Sequence, residues 1–333
     1  MAAGAGATLA LTPELLRALQ QSGGQLIQRA IPSTGEMLPV ISLDPRRESD
    51  DAGMKEILKT MLENGARVID LPDGGGERSA RTAADELGIQ DKLFWTTPLV
   101  GAPPRRESDP PPPKADAAAL RAQIETKLAT FKVPRIDLVM ASAYNVTHDA
   151  TFLAVLKEMK TEGKVRYIGV HTLAPPPYPT GPAFASLESI MRSEPIDFVG
   201  TDYSAGWRGV EERILPLARE RKIGFMAHFA FDRGRLFKRA SGTQLPEWAA
   251  EFDATTWAQF FLKYVVSHPA VTVVRVGTTK PAHMLENIGG GIGRLPNEAM
   301  RKRMAEFVDA LPQPPMPPAT NRARTAGTPE QTR

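Results

Sequence analysis

Short apolar runs alternate along the chain with longer segments whose apolar residues recur every third or fourth position. Leu38-Pro39-Val40-Ile41-Ser42-Leu43 has the density of a buried strand. The next segment opens on Ser49-Asp50-Asp51, a helix N-cap signal. It places Met54, Ile57, Leu58, Met61 and Leu62 on one helical face, and Gly65 stops it. The alternation repeats. Strands are predicted at 67–70, 92–97, 136–141, 165–170, 196–201, 223–228 and 271–276. Helices are predicted at 77–87, 116–131, 149–162, 182–192, 208–221, 255–266 and 281–287. With the run at Leu38, these make eight strand-then-helix units and point to a parallel sheet. At this length they fit an α/β fold of the (β/α)8 TIM barrel type better than an open doubly wound sheet. A last helix, 297–311, is expected outside the barrel. The expected organisation is an N-terminal extension over 1–30, a barrel over 31–311 and a disordered, proline-rich tail over 312–333.

Composition narrows the function. Lys plus Arg number 41 against 38 for Asp plus Glu, a net charge of +3, too balanced for a dedicated nucleic-acid binder. The chain has no cysteine, which excludes disulfides, thiol catalysis, iron–sulfur clusters and cysteine-held zinc. No apolar run reaches the ~18 residues of a membrane span. The opening MAAGAGATLALTPELL lacks a charged start, so it reads as a frayed tail before a short helix and cytoplasm is the expected location. Gly74-Gly75-Gly76 has neither dinucleotide-fingerprint nor Walker spacing. Three of the proline-dense stretches stand out: 103–113 and 175–182, expected as stiff loops on the catalytic face, and 312–318. Trp95 and Trp207 are expected to flank the barrel mouth.

Several segments together resemble the aldo/keto reductase family. They are Ile31 to Ile41, Arg67-Val68-Ile69-Asp70, Asp91 to Phe94, Arg135-Ile136-Asp137-Leu138 and Gly163 to Val170. They continue with Trp257-Ala258-Gln259 through Val271, and with Gly277-Thr278-Thr279-Lys280-Pro281 followed by His283, Glu286 and Asn287. The resemblance implies a barrel that uses NADP(H) to reduce carbonyls with four residues. A tyrosine protonates the carbonyl oxygen, a lysine lowers that tyrosine's pKa, an aspartate holds the lysine, and a histidine orients the carbonyl. A free tyrosine, at pKa ≈ 10, is a poor acid at neutral pH without such tuning.

Carried over residue by residue, one member survives. Asp70 stands where the aspartate should. Gly75 takes the tyrosine position, Pro98 the lysine position and Ser142 the histidine position. The first strand, Gly-Leu-Gly-Thr in the family, reads Ser42-Leu43-Asp44-Pro45. The sixth strand has Gly200 and Asp202 where glutamine and asparagine are usual. By contrast, the family's 2′-phosphate and adenine end is kept as Thr278, Thr279, Lys280, His283, Glu286 and Asn287.

Without the lysine, a buried Asp70 should have a raised pKa, or else accept hydrogen bonds from the Gly74–Gly76 turn. His171 ends the fifth strand at the family's carboxamide position, and His228 ends the seventh, where the family's residue lies against the nicotinamide ring. Tyr144 lies two residues beyond Ser142. Asp70, Tyr144, His171 and His228 are thus candidates for a new acid–base cluster. No H-x-H or H-x-x-x-H pair points to a metal. The leading expectation is a reductase-family protein that is inactive or repurposed. The alternatives are a pseudoenzyme that binds NADP(H) or a small-molecule ligand or serves as a partner protein, and a non-redox acid–base enzyme.

Overall fold

Eight strands hydrogen-bond side by side, all parallel, and close on themselves in the computed structural model, which describes residues 24–46, 48–71, 75–101, 113–172 and 184–312. A two-stranded hairpin precedes them, β1 (Gln28–Ala30) and β2 (Met37–Pro39). The barrel strands are β3 (Ile41–Pro45), β4 (Val68–Asp70), β5 (Phe94–Leu99), β6 (Ile136–Ser142), β7 (Val165–His171), β8 (Phe198–Asp202), β9 (Gly224–His228) and β10 (Val271–Thr278). The barrel order is the chain order, with β10 closing against β3. The expected N-terminal and C-terminal tails, and most of the proline-dense stretches around 103–113 and 175–182, lie outside the described residues.

Strand alternation divides the side chains between two cores. Val68, Phe94, Leu138, Met140, Tyr167, Phe198, Met226 and Val273 fill the barrel interior together with Ile31 and Leu38. The opposite phase packs against the helices. Trp95 belongs to this outer layer rather than the mouth. It is one residue out of phase with the inward Phe94, stacks on Phe131 at 5.0 Å, and donates Nε1 to the Gln90 carbonyl at 2.8 Å. Trp207 lies in the turn that follows β8.

The predicted first strand divides in two. Leu38 and Pro39 pair antiparallel with Arg29 and Gln28 in the hairpin, and only from Ile41 does the chain enter the barrel. The hairpin therefore begins inside the segment expected as an extension. It seals the N-terminal end through Glu36, which accepts a hydrogen bond from the Tyr167 hydroxyl (2.7 Å) and pairs with Arg166 (2.5 Å).

The helices follow local signals. Asp50 caps the Asp51–Glu63 helix by accepting from Gly53 N at 2.6 Å, and Met54, Ile57, Leu58 and Met61 are its buried face. Losing such a cap costs about 0.5–2 kcal/mol. Gly65, at φ +79°, ends the segment in a conformation that other residues resist. A short helix, Ala143–His148, and another, Arg235–Ala240, were not foreseen by periodicity. Both are six residues long, too short to show a repeating face.

Candidate functional site at the C-terminal mouth

Every barrel strand points its C-terminal end at one mouth, where such folds carry their sites. The inward phase that places Phe94 in the lumen also brings Pro98 to the top of β5, and the phase of Leu138 and Met140 brings Ser142 to the top of β6. Ser142 caps the Ala143–His148 helix, accepting from Tyr144 N at 3.2 Å. Gly75 is the first residue of the Gly75–Leu87 helix.

Asp70 is buried, and its partner is a residue the sequence reading missed. Arg275 on β10 places Nε 2.8 Å from Asp70 Oδ2 and Nη2 3.0 Å from Asp44 Oδ1. One guanidinium thus bridges the ends of β3 and β4. Burial pushes the Asp70 carboxyl up to about 6. Arg275 opposes that rise and the neighbouring Asp44 charge adds to it. Burial works against the Arg275 charge too, but the two carboxylates outweigh it and raise its pKa. Residues 72–74 of the glycine turn lie outside the described residues.

His171 and His228 stand with ring centroids 6.3 Å apart. Burial, reinforced by the Arg275 charge, lowers His171 to about 4. Burial, then Arg275, His171 and Arg233, lowers His228 well below its ordinary value. Both are neutral imidazoles at pH 7. His228 is 3% exposed, and neither of its ring nitrogens has a hydrogen-bond partner among the described residues. Its ring lies against Gly200: a Cβ on that glycine would sit 2.8 Å from His228 Nε2 and 3.1 Å from Met140 Cε. Real Cβ atoms do not approach so closely, so His228 fills the space of a side chain at 200. Asp70, His171 and His228 therefore share Arg275 as their electrostatic neighbour. Tyr144 instead lies over His148 on its own helix, centroids 4.3 Å apart.

The loop after β9 supplies a second cation. Arg233 pairs with the buried Asp202 at the end of β8 and lies 3.7 Å over the Phe229 ring. Phe229, Asp232 and Arg233 all have positive φ, a costly backbone for non-glycine residues that concentrates at functional sites. Beside this loop is a cavity of about 380 Å³ with Arg46, Arg233 and Arg275 in its wall. The run Asp232-Arg233-Gly234-Arg235 directly after a barrel strand was the available signal.

The 278–287 segment forms the adjoining rim. Lys280 precedes the Pro281–Gly289 helix, and Thr279, Lys280 and His283 are exposed at its first turn. Free backbone N–H groups and the exposed Lys280 ammonium at such a terminus suit an anion. Thr278 is turned inward: its hydroxyl accepts from Lys280 N at 3.0 Å and so shapes the turn. Asn287 is buried and Glu286 half-buried. Among the described residues, no group of three or more metal-ligating side chains converges. No described helix is long and apolar enough to cross a membrane.

Comparison with known proteins matches this architecture. The sequence model of the Aldo/keto reductase family matches residues 42–304. A probable aldo-keto reductase 1 from Glycine max is 27% identical over 315 residues, covering 81% of each chain. Among solved structures, an aldo-keto reductase from Bacillus halodurans in its holo form superposes with a TM-score of 0.65 at 17% identity, covering 85% of this chain and 96% of that one. An aldo/keto reductase from Klebsiella pneumoniae, solved in complex with NADP and acetate, gives a TM-score of 0.61 at 16% identity, covering 85% and 94%.

Proposed function

The chain belongs to the aldo/keto reductase family, and from that premise we propose that it binds NADP(H) or a related phosphate-bearing ligand without reducing carbonyls. The family is one of NAD(P)(H)-linked oxidoreductases. The observation that carries this reading is the Asp70–Arg275 pair. The aspartate that would hold a catalytic lysine is held instead by an arginine from β10, which itself is tied to Asp44. A guanidinium stays protonated and offers no neutral form to exchange protons. Gly75 has no side chain and Pro98 no ionisable group, so neither replaces the tyrosine or lysine. Losing one positioned general acid costs about 10²–10⁴ in rate.

The fit to the cofactor differs along its length. Thr279, Lys280 and His283 on the rim, with Arg46 and Arg233 beside the cavity, suit the phosphate groups. The strand-end ring does not suit the nicotinamide. His228 is buried against Gly200 and presents no face to a ring, and Asp44 and Arg275 occupy the ends of β3 and β10. No hydride step is assigned to this chain.

A second reading, non-redox proton transfer, is favoured by one observation. Asp70, with its pKa near 6, shares Arg275 as a neighbour with two neutral imidazoles, His171 and His228. Tyr144, over His148, is a separate candidate donor.

The test is turnover of a broad aldehyde panel with NADPH, followed at 340 nm, with Asp70→Asn as control. No protein-dependent oxidation is expected. Robust oxidation that Asp70→Asn abolishes would overturn the proposal.

A further inference from the structure

We infer that anion binding at the mouth is coupled to a proton: the cavity and the Asp70 carboxylate compete for Arg275, so an entering phosphate binds together with a proton that Asp70 takes up from solvent. This rests on the proposed phosphate-binding reading and adds its regulation, a mouth that holds anions more tightly as pH falls.

The first support is that one guanidinium serves two places. Arg275 is part of the cavity wall with Arg46 and Arg233, and the same side chain lies between Asp70 and Asp44. Two carboxylates on one buried guanidinium leave a net negative charge behind the wall. Arg46 offsets part of it, at 3.5 Å from Asp44 with half its side chain exposed, and Arg233 is committed to Asp202. An anion drawn to the wall meets the remaining charge at short range, where water and salt screen it little. A proton on Asp70 removes that repulsion and turns the Arg275 charge toward the cavity. By linkage the converse holds, and the bound anion favours the proton by the same factor.

The second support is the way Asp70 is held. Two guanidinium groups, those of Arg275 and Arg46, lie near Asp44, and Arg275 alone pairs with Asp70. Arg275 Nε lies 2.8 Å from Asp70 Oδ2, but among the described residues its N–H is aligned on no acceptor. The pair is therefore held by charge rather than by a directed hydrogen bond, and protonation sacrifices no such bond. Asp70 is 6% exposed. Burial already brings its carboxyl to about 6 against the pull of Arg275. The surrounding groups leave it the site of the proton. His171 and His228, which share Arg275, are neutral above about pH 5. Thr96, its neighbour on β5, carries no charge. Glu77, on the helix after β4, is paired with Lys127. His283 is an exposed imidazole on the rim, outside this cluster.

Calorimetric titration of the full chain with ADP-ribose tests the coupling, because a diphosphate diester keeps its charge constant from pH 5 to pH 8. Affinity should rise about tenfold from pH 8 to pH 5, with the change centred between about 6 and 7. Asp70→Asn keeps a neutral side chain at every pH. It should bind at pH 8 as tightly as the unchanged protein binds at pH 5, with no dependence between. The unchanged protein gives a second readout that needs no variant. The titration midpoint of the Asp70 carboxyl, followed by its ¹³C shift, should move from about 6 to about 7 when ADP-ribose saturates the site. A pH dependence that survives in Asp70→Asn belongs to His283 and overturns the inference. So does an affinity that ignores pH, or an Asp70 midpoint that the ligand leaves in place. In each of these cases the phosphate-binding reading stands. No binding of ADP-ribose at any pH overturns that reading and the inference with it.

Discussion

The rim at 278–283 and the ring of strand ends face the same mouth and treat charge in opposite ways. On the rim, Thr279, Lys280 and His283 are exposed, and among the described residues no ion pair engages Lys280 or His283. In the ring, Asp44, Asp70 and Asp202 are buried and paired with Arg275 and Arg233, both from this chain. A cation left without an internal partner can receive an anion from outside. A buried one that is already paired must first break its bond, at a cost of several kcal/mol. The difference teaches where binding remains open in this barrel and where the protein has paired its own charges.

The largest expected effect comes from breaking the buried pair. Arg275→Met leaves Asp70 without its cation and Asp44 with only Arg46, at 3.5 Å, and should destabilise the protein by about 3–5 kcal/mol at pH 7. The sign with pH follows from Asp70. Its folded pKa, about 6, exceeds the ordinary 3.8, so its contribution is most favourable below about pH 4 and is lost as pH rises through 6. Without Arg275 the carboxyl rises further, so the penalty should shrink as pH is lowered to 4. Urea unfolding of both proteins at pH 7 and pH 4 measures it, and a penalty independent of pH would detach Asp70 from Arg275.

A smaller effect should follow from filling the space at 200. Gly200→Ala places a Cβ within 2.8 Å of His228 Nε2 and should cost about 1–3 kcal/mol. In a His228→Ala background the same substitution should cost less, because only the Met140 Cε contact at 3.1 Å remains. Equal costs in both backgrounds would show that His228 does not occupy that space.

The smallest effect on stability belongs to the rim. Lys280→Ala should leave the unfolding midpoint unchanged and weaken NADPH binding about tenfold, near 1.4 kcal/mol. NADPH fluorescence titration reads the affinity. A loss of stability with unchanged affinity would reverse the contrast between rim and ring.

The fold was legible because its signals are local and repeat. The Asp50 cap and the Met54–Met61 face each stand within one turn of the residues they serve, and the structure uses both. The hairpin was not legible because Leu38 and Ile41 form one apolar run, divided only by pairing with Gln28–Ala30. Pro98 and Ser142 lie on β5 and β6, where counting along the sequence placed them. Arg275 could not be assigned in this way. It sits in a run of valines, and its partners Asp44 and Asp70 lie more than two hundred residues earlier. A single charge within a buried strand was the signal available. Tyr144 was expected to join the histidines from its spacing alone, but Ser142 begins a helix there and turns the ring toward His148.

The most direct test of the paired ring is the titration of Asp70 itself. Carboxyl chemical shifts of ¹³C-aspartate-labelled protein, assigned by Asp70→Asn, should give Asp70 a pKa near 6, moving higher in Arg275→Met. An Asp70 that titrates near 4 and does not respond to the loss of Arg275 would contradict the account.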